Sequence, residues 1–165
     1  MIAKKMQVAL NSQINEELYS SYLYLSMVAY FESINLHGFA SWMRVQTGEE
    51  KSHAMKMYEF IIERGGRVTL EAIAKPTTEW KSPLAAFEAA YKHEQKITGL
   101  INDLVELAAK EKDHASGIFL QWFVTEQVEE EKNASEIVSK LQLLKDSAGS
   151  MYMLDKELGK RGTAK

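Results

Sequence analysis

The chain reads as all-α: four long helices in one bundle, followed by a short fifth helix. Three observations predict this. Only two prolines interrupt 165 residues, Pro76 and Pro83, and both fall in one short region. The Val-Ile-Thr alternation that marks a strand never persists. The third observation is an internal repeat. Glu17 is followed by Glu50 and His53, and Glu94 by Gln127 and Glu130, with 33 positions from first to second in both cases and three more to the third. The whole set recurs after 77 positions. Such a repeat predicts two helical hairpins facing each other, each giving one side chain from its first helix and an i, i+3 pair from its second.

The elements follow in order. Helix A covers about 5–34. Helix B covers about 39–64 and stops at Gly65-Gly66, a C-terminal signal. Residues 67–82, RVTLEAIAKPTTEWKS, form a connector. Helix C takes Ser82 as N-cap and Pro83 at its first position, and spans 83–110. Helix D covers about 115–145. Gly149 and Gly159 bracket a fifth helix at 150–158, and RGTAK reads as a loose tail. This length and 45% apolar content fit a single domain, 1–165.

The repeat positions test the layout. In an antiparallel hairpin, paired positions lie equally far from the turn. The midpoint of Glu17 and the Glu50/His53 pair falls in ESINLHG; that of Glu94 and the Gln127/Glu130 pair falls in KEKDHASG. Both are turn-like, so all six side chains can meet at one level. The connector's sixteen residues could span about 50 Å when extended. A helix of about 26 residues is about 39 Å long. The connector can therefore run the length of the bundle and set helix C parallel to helix B. The result is an up-down-down-up bundle with a long crossover.

Facing stripes decide whether the polar residues point inward. Helix A reads Leu10, Ile14, Glu17, Ser21, Tyr24, Val28, Phe31, and helix B reads Phe39, Met43, Gln46, Glu50, His53, Met57, Phe60. Helix C reads Phe87, Ala90, Glu94, Ile97, Ile101, Leu104, and helix D reads Leu120, Val124, Gln127, Glu130, Ala134, Ile137, Leu141. One Glu in an apolar stripe is usually an edge residue that reaches solvent. Four at one level are different, because ionising them together in a core would cost many kcal/mol. No Lys or Arg occupies these stripes. Two divalent cations would balance Glu17, Glu50, Glu94 and Glu130, leaving Gln127 neutral. Carboxylate with imidazole suits iron or manganese. By position, Glu17, Glu50 and His53 would hold the first ion. Glu94 and Glu130, with Gln127 close by, would hold the second, and Glu50 could bridge. The second site has no histidine and is expected to bind more weakly.

Tyr24 lies two turns from Glu17 on the same face. It reads equally as a core tyrosine with a satisfied hydroxyl and as a group that hydrogen-bonds a ligand or donates an electron. Trp122 reads as packing rather than redox-active. A second acidic set, Glu49, Glu126 and Glu129, precedes Glu50, Gln127 and Glu130 by one position, so it points off the bundle axis. It is either a solvated acidic face or a third metal site.

Composition narrows the rest. The chain contains no cysteine, which excludes disulfides, Fe–S clusters, zinc fingers and thiol nucleophiles. A net charge of −3 suggests neither a nucleic-acid nor an anionic-membrane partner. The start, MIAKKMQVALNSQ, has no apolar run of signal-peptide length. A cytoplasmic protein is expected.

Four stretches, NEELYSSYLYL (15–25), GEEKSHAMKM (48–57), YKHEQKITGLIN (91–102) and LQWFVTEQVEEEK (120–132), resemble the bacterial non-haem ferritins, as does the closing MYMLDKEL. The likeness covers nearly the whole chain. It implies a ferritin-like fold and a hollow homo-oligomeric shell of twenty-four subunits around an iron mineral. It implies a ferroxidase centre at Glu17, Glu50, His53, Glu94, Gln127 and Glu130, with Tyr24 beside it, and a third iron site using Glu49, Glu126, Glu129 and Glu130. Fe(II) would bind as a pair, reduce O2 or peroxide, and pass on as Fe(III). The second half runs Gln127-Val128-Glu129-Glu130 instead of a second Glu-x-x-His. That departs from the haem-containing bacterioferritins, so haem is not expected.

Two rival functions remain in view. A di-iron or di-manganese oxygenase or catalase would need an open apolar pocket beside the metals. A purely structural cage subunit would need a broken centre. Assembly size separates the first rival from a storage shell.

Overall fold

Four helices with one apolar face each must bury those faces together, and the computed structural model shows how. It describes residues 1–144 and 147–161. The helices are α1 (Lys4–Ser33), α2 (His37–Glu63), α3 (Pro83–Lys110), α4 (His114–Leu143) and α5 (Ala148–Leu158), with no strand among the described residues. The sequence predicts helix D to about residue 145, which lies outside the described residues. Of the expected tail, residues 162–165 also lie outside them, whereas Arg161 is docked against α2.

Local chemistry sets the ends. Ser82 Oγ accepts from Ala85 N at 3.1 Å, capping α3 at its first-turn proline. Asp113 caps α4 through Ser116 N at 3.2 Å. Ser147 caps α5, which puts Gly149 inside the first turn and not at the boundary. Three helices stop by the same motif. After α1, Leu36 N reaches Phe31 O at 3.0 Å. After α2, Gly66 N reaches Ile61 O at 2.8 Å, and after α3, Asp113 N reaches Ala108 O at 2.9 Å. This closure needs a left-handed residue just past the end. Gly65 supplies it at φ 70°, but Asn35 and Lys112 adopt it at φ 59° and 56°.

Contacts between helices fix the topology. Along α1 and α3, Lys5 meets Glu111, Glu16 meets Lys96 and Tyr24 meets Glu94, so the two run antiparallel. α2 is antiparallel to α1 across the first turn. α2 and α3 therefore run parallel, the up-down-down-up order. The connector tracks α1 from end to end: Asn11 binds the backbone at Arg67 and Thr69, Ser26 Oγ donates to Thr77 O at 2.7 Å, and Trp80 packs on Tyr30. α5 seats on the start of α2, where Asp155 Oδ1 accepts from the backbone N–H of Gly38 and Phe39. A Cβ at Gly38 would fall 1.7 Å from Asp155 O, so only glycine permits this approach.

The core has two apolar clusters with a polar layer between them. One gathers Met27, Phe31, Phe39, Met43, Phe87 and Leu141 with Leu154 of α5. The other gathers Met6, Leu10, Met57, Ile61, Ile101 and Leu120. The stripes read from sequence shift at three points. Ser20, not Ser21, is the buried serine; Phe60 and Val124 are only half-buried. Phe60 instead stacks on Phe119 at 3.9 Å between ring centroids.

Candidate metal centre

The polar layer is built at mid-height, where both hairpins bring their repeat positions level. Glu17, Glu50, His53, Glu94, Gln127 and Glu130 are each no more than 4% exposed. Three sets of side chains bring one potential ligand atom each to within 4.8 Å of one another: Glu17, Glu50 and His53; Glu50, Glu94 and Glu130; and His53, Glu126 and Glu130. Glu50 belongs to the first two sets, so it lies between the hairpins' contributions. His53 Nδ1 is 3.3 Å from Glu50 Oε2 and 4.0 Å from Glu17 Oε2.

Neutral donors hold these carboxylates. Gln13 Nε2 donates to Glu17 Oε1 at 2.9 Å. Gln46 Nε2 donates to Glu50 Oε1 at 2.8 Å and to Glu130 Oε2 at 2.7 Å, tying α2 to α4. Gln127 Nε2 reaches Glu94 Oε2 at 3.1 Å, and the Tyr24 hydroxyl donates to Glu94 Oε1. Glu17 Oε2 is buried with no hydrogen-bond partner. A buried carboxylate oxygen left bare beside a histidine is what a cation would satisfy.

The electrostatics agree. Burial pushes the Glu17 carboxyl up to about 8, with the Glu50 charge adding to it. Glu130 rises to about 7 from burial and from Glu94. Burial also raises Glu50 well above the carboxylate range, with Glu94 and Glu130 adding, and raises Glu94. Burial and the nearby Glu94 charge hold the Tyr24 hydroxyl well above its ordinary value, so it stays a proton donor. Each shift is upward because a buried anion here lacks a compensating positive charge. Two divalent cations would remove that penalty, and the O-rich, single-imidazole donor set fits iron or manganese.

The outer acidic set divides. Glu126 comes within 3.9 Å of His53 Nε2. Glu49 is half-buried and paired with Arg161, and Glu129 is exposed. Trp122 stands edge-on to His53, 5.4 Å between centroids, with Lys56 Nζ 4.4 Å from its ring centroid. The cavity beside Tyr24, Glu94 and Glu130 measures about 10 Å³, room for about one water. No organic substrate fits there.

Gln13, Gln46 and the buried pair Ser20–His93, 2.7 Å apart, carry no role in the repeat that defines the centre. The two glutamines had a signal. Each sits one turn before a buried Glu, at i−4, where a Gln amide can reach a carboxylate. Arg161 had none, being one cation in a polar tail.

Bundle and centre together define a class, the helical bundles with a carboxylate-rich metal centre between their hairpins. Within that class, residues 7–144 match the ferritin-like domain, and the chain belongs to the ferritin family. It is 45% identical over 161 residues to a bacterial non-heme ferritin of Bacteroides fragilis, covering 98% of this chain and all of that one. It is 39% identical over 163 residues to a probable bacterial non-heme ferritin-like protein of Haemophilus influenzae, covering 99% of each. Among solved structures it resembles an open-pore ferritin from the hyperthermophilic archaeon Archaeoglobus fulgidus. The TM-score is 0.97 at 57% identity, over 98% of this chain and 99% of that one.

Proposed function

We propose that this chain oxidises Fe(II) at the buried centre and stores the Fe(III) as a hydrated oxide inside a shell of its own copies. Iron is here substrate and cargo. The observation that carries the reading is the buried layer of four carboxylates and one imidazole, with its bare Glu17 oxygen and upshifted carboxyls. Glu17, Glu50 and His53 take one Fe(II). Glu94 and Glu130 take the other with Gln127 beside them, and Glu50 bridges. Each Fe(II) loses one electron, and O2 or peroxide accepts the pair.

The protein's own residues set the conditions. Carboxyls that stay protonated near neutral pH lose those protons as cations arrive, so iron uptake releases acid. The Tyr24 hydroxyl donates a hydrogen bond to Glu94 Oε1 and holds that carboxylate in place. The amides of Gln46 and Gln127 hold Glu130 and Glu94 without adding charge. The cavity lined by Tyr24, Glu94 and Glu130 is too small for an organic substrate, which favours an inorganic one over an oxygenase reaction.

Further iron would bind at Glu49, Glu126, Glu129 and Glu130 on the outward path. No haem is part of this reading. The shell contains twenty-four chains, on the order of 450 kDa from an 18.7 kDa subunit, and resides in the cytoplasm. The names of the relatives support storage, and no helix among the described residues is long and apolar enough to cross a membrane.

The test is Fe(II) oxidation under air at about two irons per chain, native against Glu50→Ala. The fast phase should slow by roughly 100-fold or more in the variant, since a bridging ligand is gone. Equal rates would place the oxidation on the surface or the mineral and sink the reading.

A further inference from the structure

A cation reaches the acidic side of the centre, and the proposed reaction does not use it. Arg161 lies just beyond α5, which Asp155 fixes on the start of α2. Its guanidinium sits 4.1 Å from the ring centroid of Trp42. Nη1 donates to Gln46 Oε1 at 2.9 Å, and Nη2 donates to Glu49 Oε2 at 2.5 Å. One planar fork thus grips an outer carboxylate and an inner amide while stacked on a buried indole.

The amide end matters because a glutamine has one acceptor oxygen and one nitrogen with two donors. The Gln46 nitrogen is held by Glu50 and Glu130, which leaves its oxygen facing outward to accept from Arg161. The carboxylate end matters because Glu49 is a residue proposed above to bind a third iron. A carboxylate engaged by a guanidinium is a poorer ligand, and a fixed positive charge beside it repels an arriving dication.

We infer that Arg161 is the resident counter-ion of the outer acidic site, a positioning residue that holds Glu49 until a third metal ion displaces it. This rests on the reading of Glu49 as a third-site ligand. Arg161 makes that site the last to fill, after the inner pair.

Calorimetric titration with Zn(II), which has no redox chemistry, tests this on the full-length assembled protein. The native protein should take two ions tightly and one weakly per chain. Arg161→Ala should strengthen the weak event roughly fivefold, the scale of a partly exposed ion pair, and leave the tight pair within about twofold. Arg161→Lys keeps the charge but loses the fork, and should fall between them. Glu49→Gln should abolish the weak event. An unchanged weak event in Arg161→Ala would overturn the arginine's role and leave the third site standing. No weak event in either native or Arg161→Ala would overturn the third-site reading and the inference with it. Weakening of all three ions would mark Arg161 as merely structural, and the inference would fall.

Discussion

The α1–α2 and α3–α4 hairpins supply the same three positions to the centre and furnish them differently. In the first, Glu17 and Glu50 each have a glutamine one turn earlier, Gln13 and Gln46, and both amides donate to them. In the second, the positions equivalent to those glutamines are Ala90 and Phe123. Its carboxylates borrow their donors: Glu94 from Tyr24 of α1, Glu130 from Gln46 of α2. Only Gln127 serves Glu94 from within the hairpin. The first hairpin carries its own support and part of its partner's. Matching spacing therefore does not mean matching electrostatics, and the hairpin with the histidine is also the one that organises the other.

The largest test of this contrast is pH. Without metal, Glu17 titrates near 8 in the fold against 4.5 as its ordinary value, and Glu130 near 7. Between those limits the native state holds more protons than the unfolded one, so stability falls as pH rises. The metal-free protein should melt highest near pH 5 and progressively lower toward pH 8. Glu17 alone would account for about 4 kcal/mol of the loss. Glu17→Gln should flatten the profile more than Glu130→Gln, and Zn(II) at pH 8 should restore the melting temperature. A metal-free protein with no pH slope would show that the carboxylates are solvated.

Making the hairpins more alike should cost less. Gln127→Glu gives the second half the carboxylate that the first has at Glu50, directly against Glu94. Without metal at pH 8, denaturant unfolding should show a loss of about 2–3 kcal/mol, because a buried hydrogen bond becomes a buried repulsion. With Zn(II) the loss should reverse, as the second ion gains a ligand. A metal-independent loss would point to packing instead.

The smallest test compares the hairpin turns. Asn35 and Lys112 hold the same left-handed position, which asparagine tolerates far better than lysine. Lys112→Gly should stabilise the protein by about 1 kcal/mol, whereas Asn35→Gly should change it by only a few tenths. Equal effects on the unfolding midpoint would refute the strain at Lys112.

The acidic repeat and the long crossover were legible because both are geometric. A spacing of 33 in each half is what two helices doubling back at the same distance produce, and a connector's reach follows from its length. Other features sat below that resolution. Ser20 and Ser21 lie three and four positions beyond Glu17, equally compatible with its face, and the hydrogen bond of Ser20 to His93 on α3 settles the choice. The docking of Arg161 depends on partners more than a hundred positions away. No periodicity encodes that.

The polar layer between the two apolar clusters also sets alignment. Greasy helix faces can slide past each other by one turn, about 5.4 Å, with little change in buried area. Here such a slide of α3 along α1 would leave the Tyr24 hydroxyl facing Ala90 or Ile97 and strand Glu94 among apolar side chains. The same slip of α4 would part Glu130 from Gln46. The carboxylates thus serve as a ruler for the bundle, penalising every register but one, much as a single buried asparagine does in a coiled coil. The residues that make the metal-free fold costly at high pH are those that make it unique.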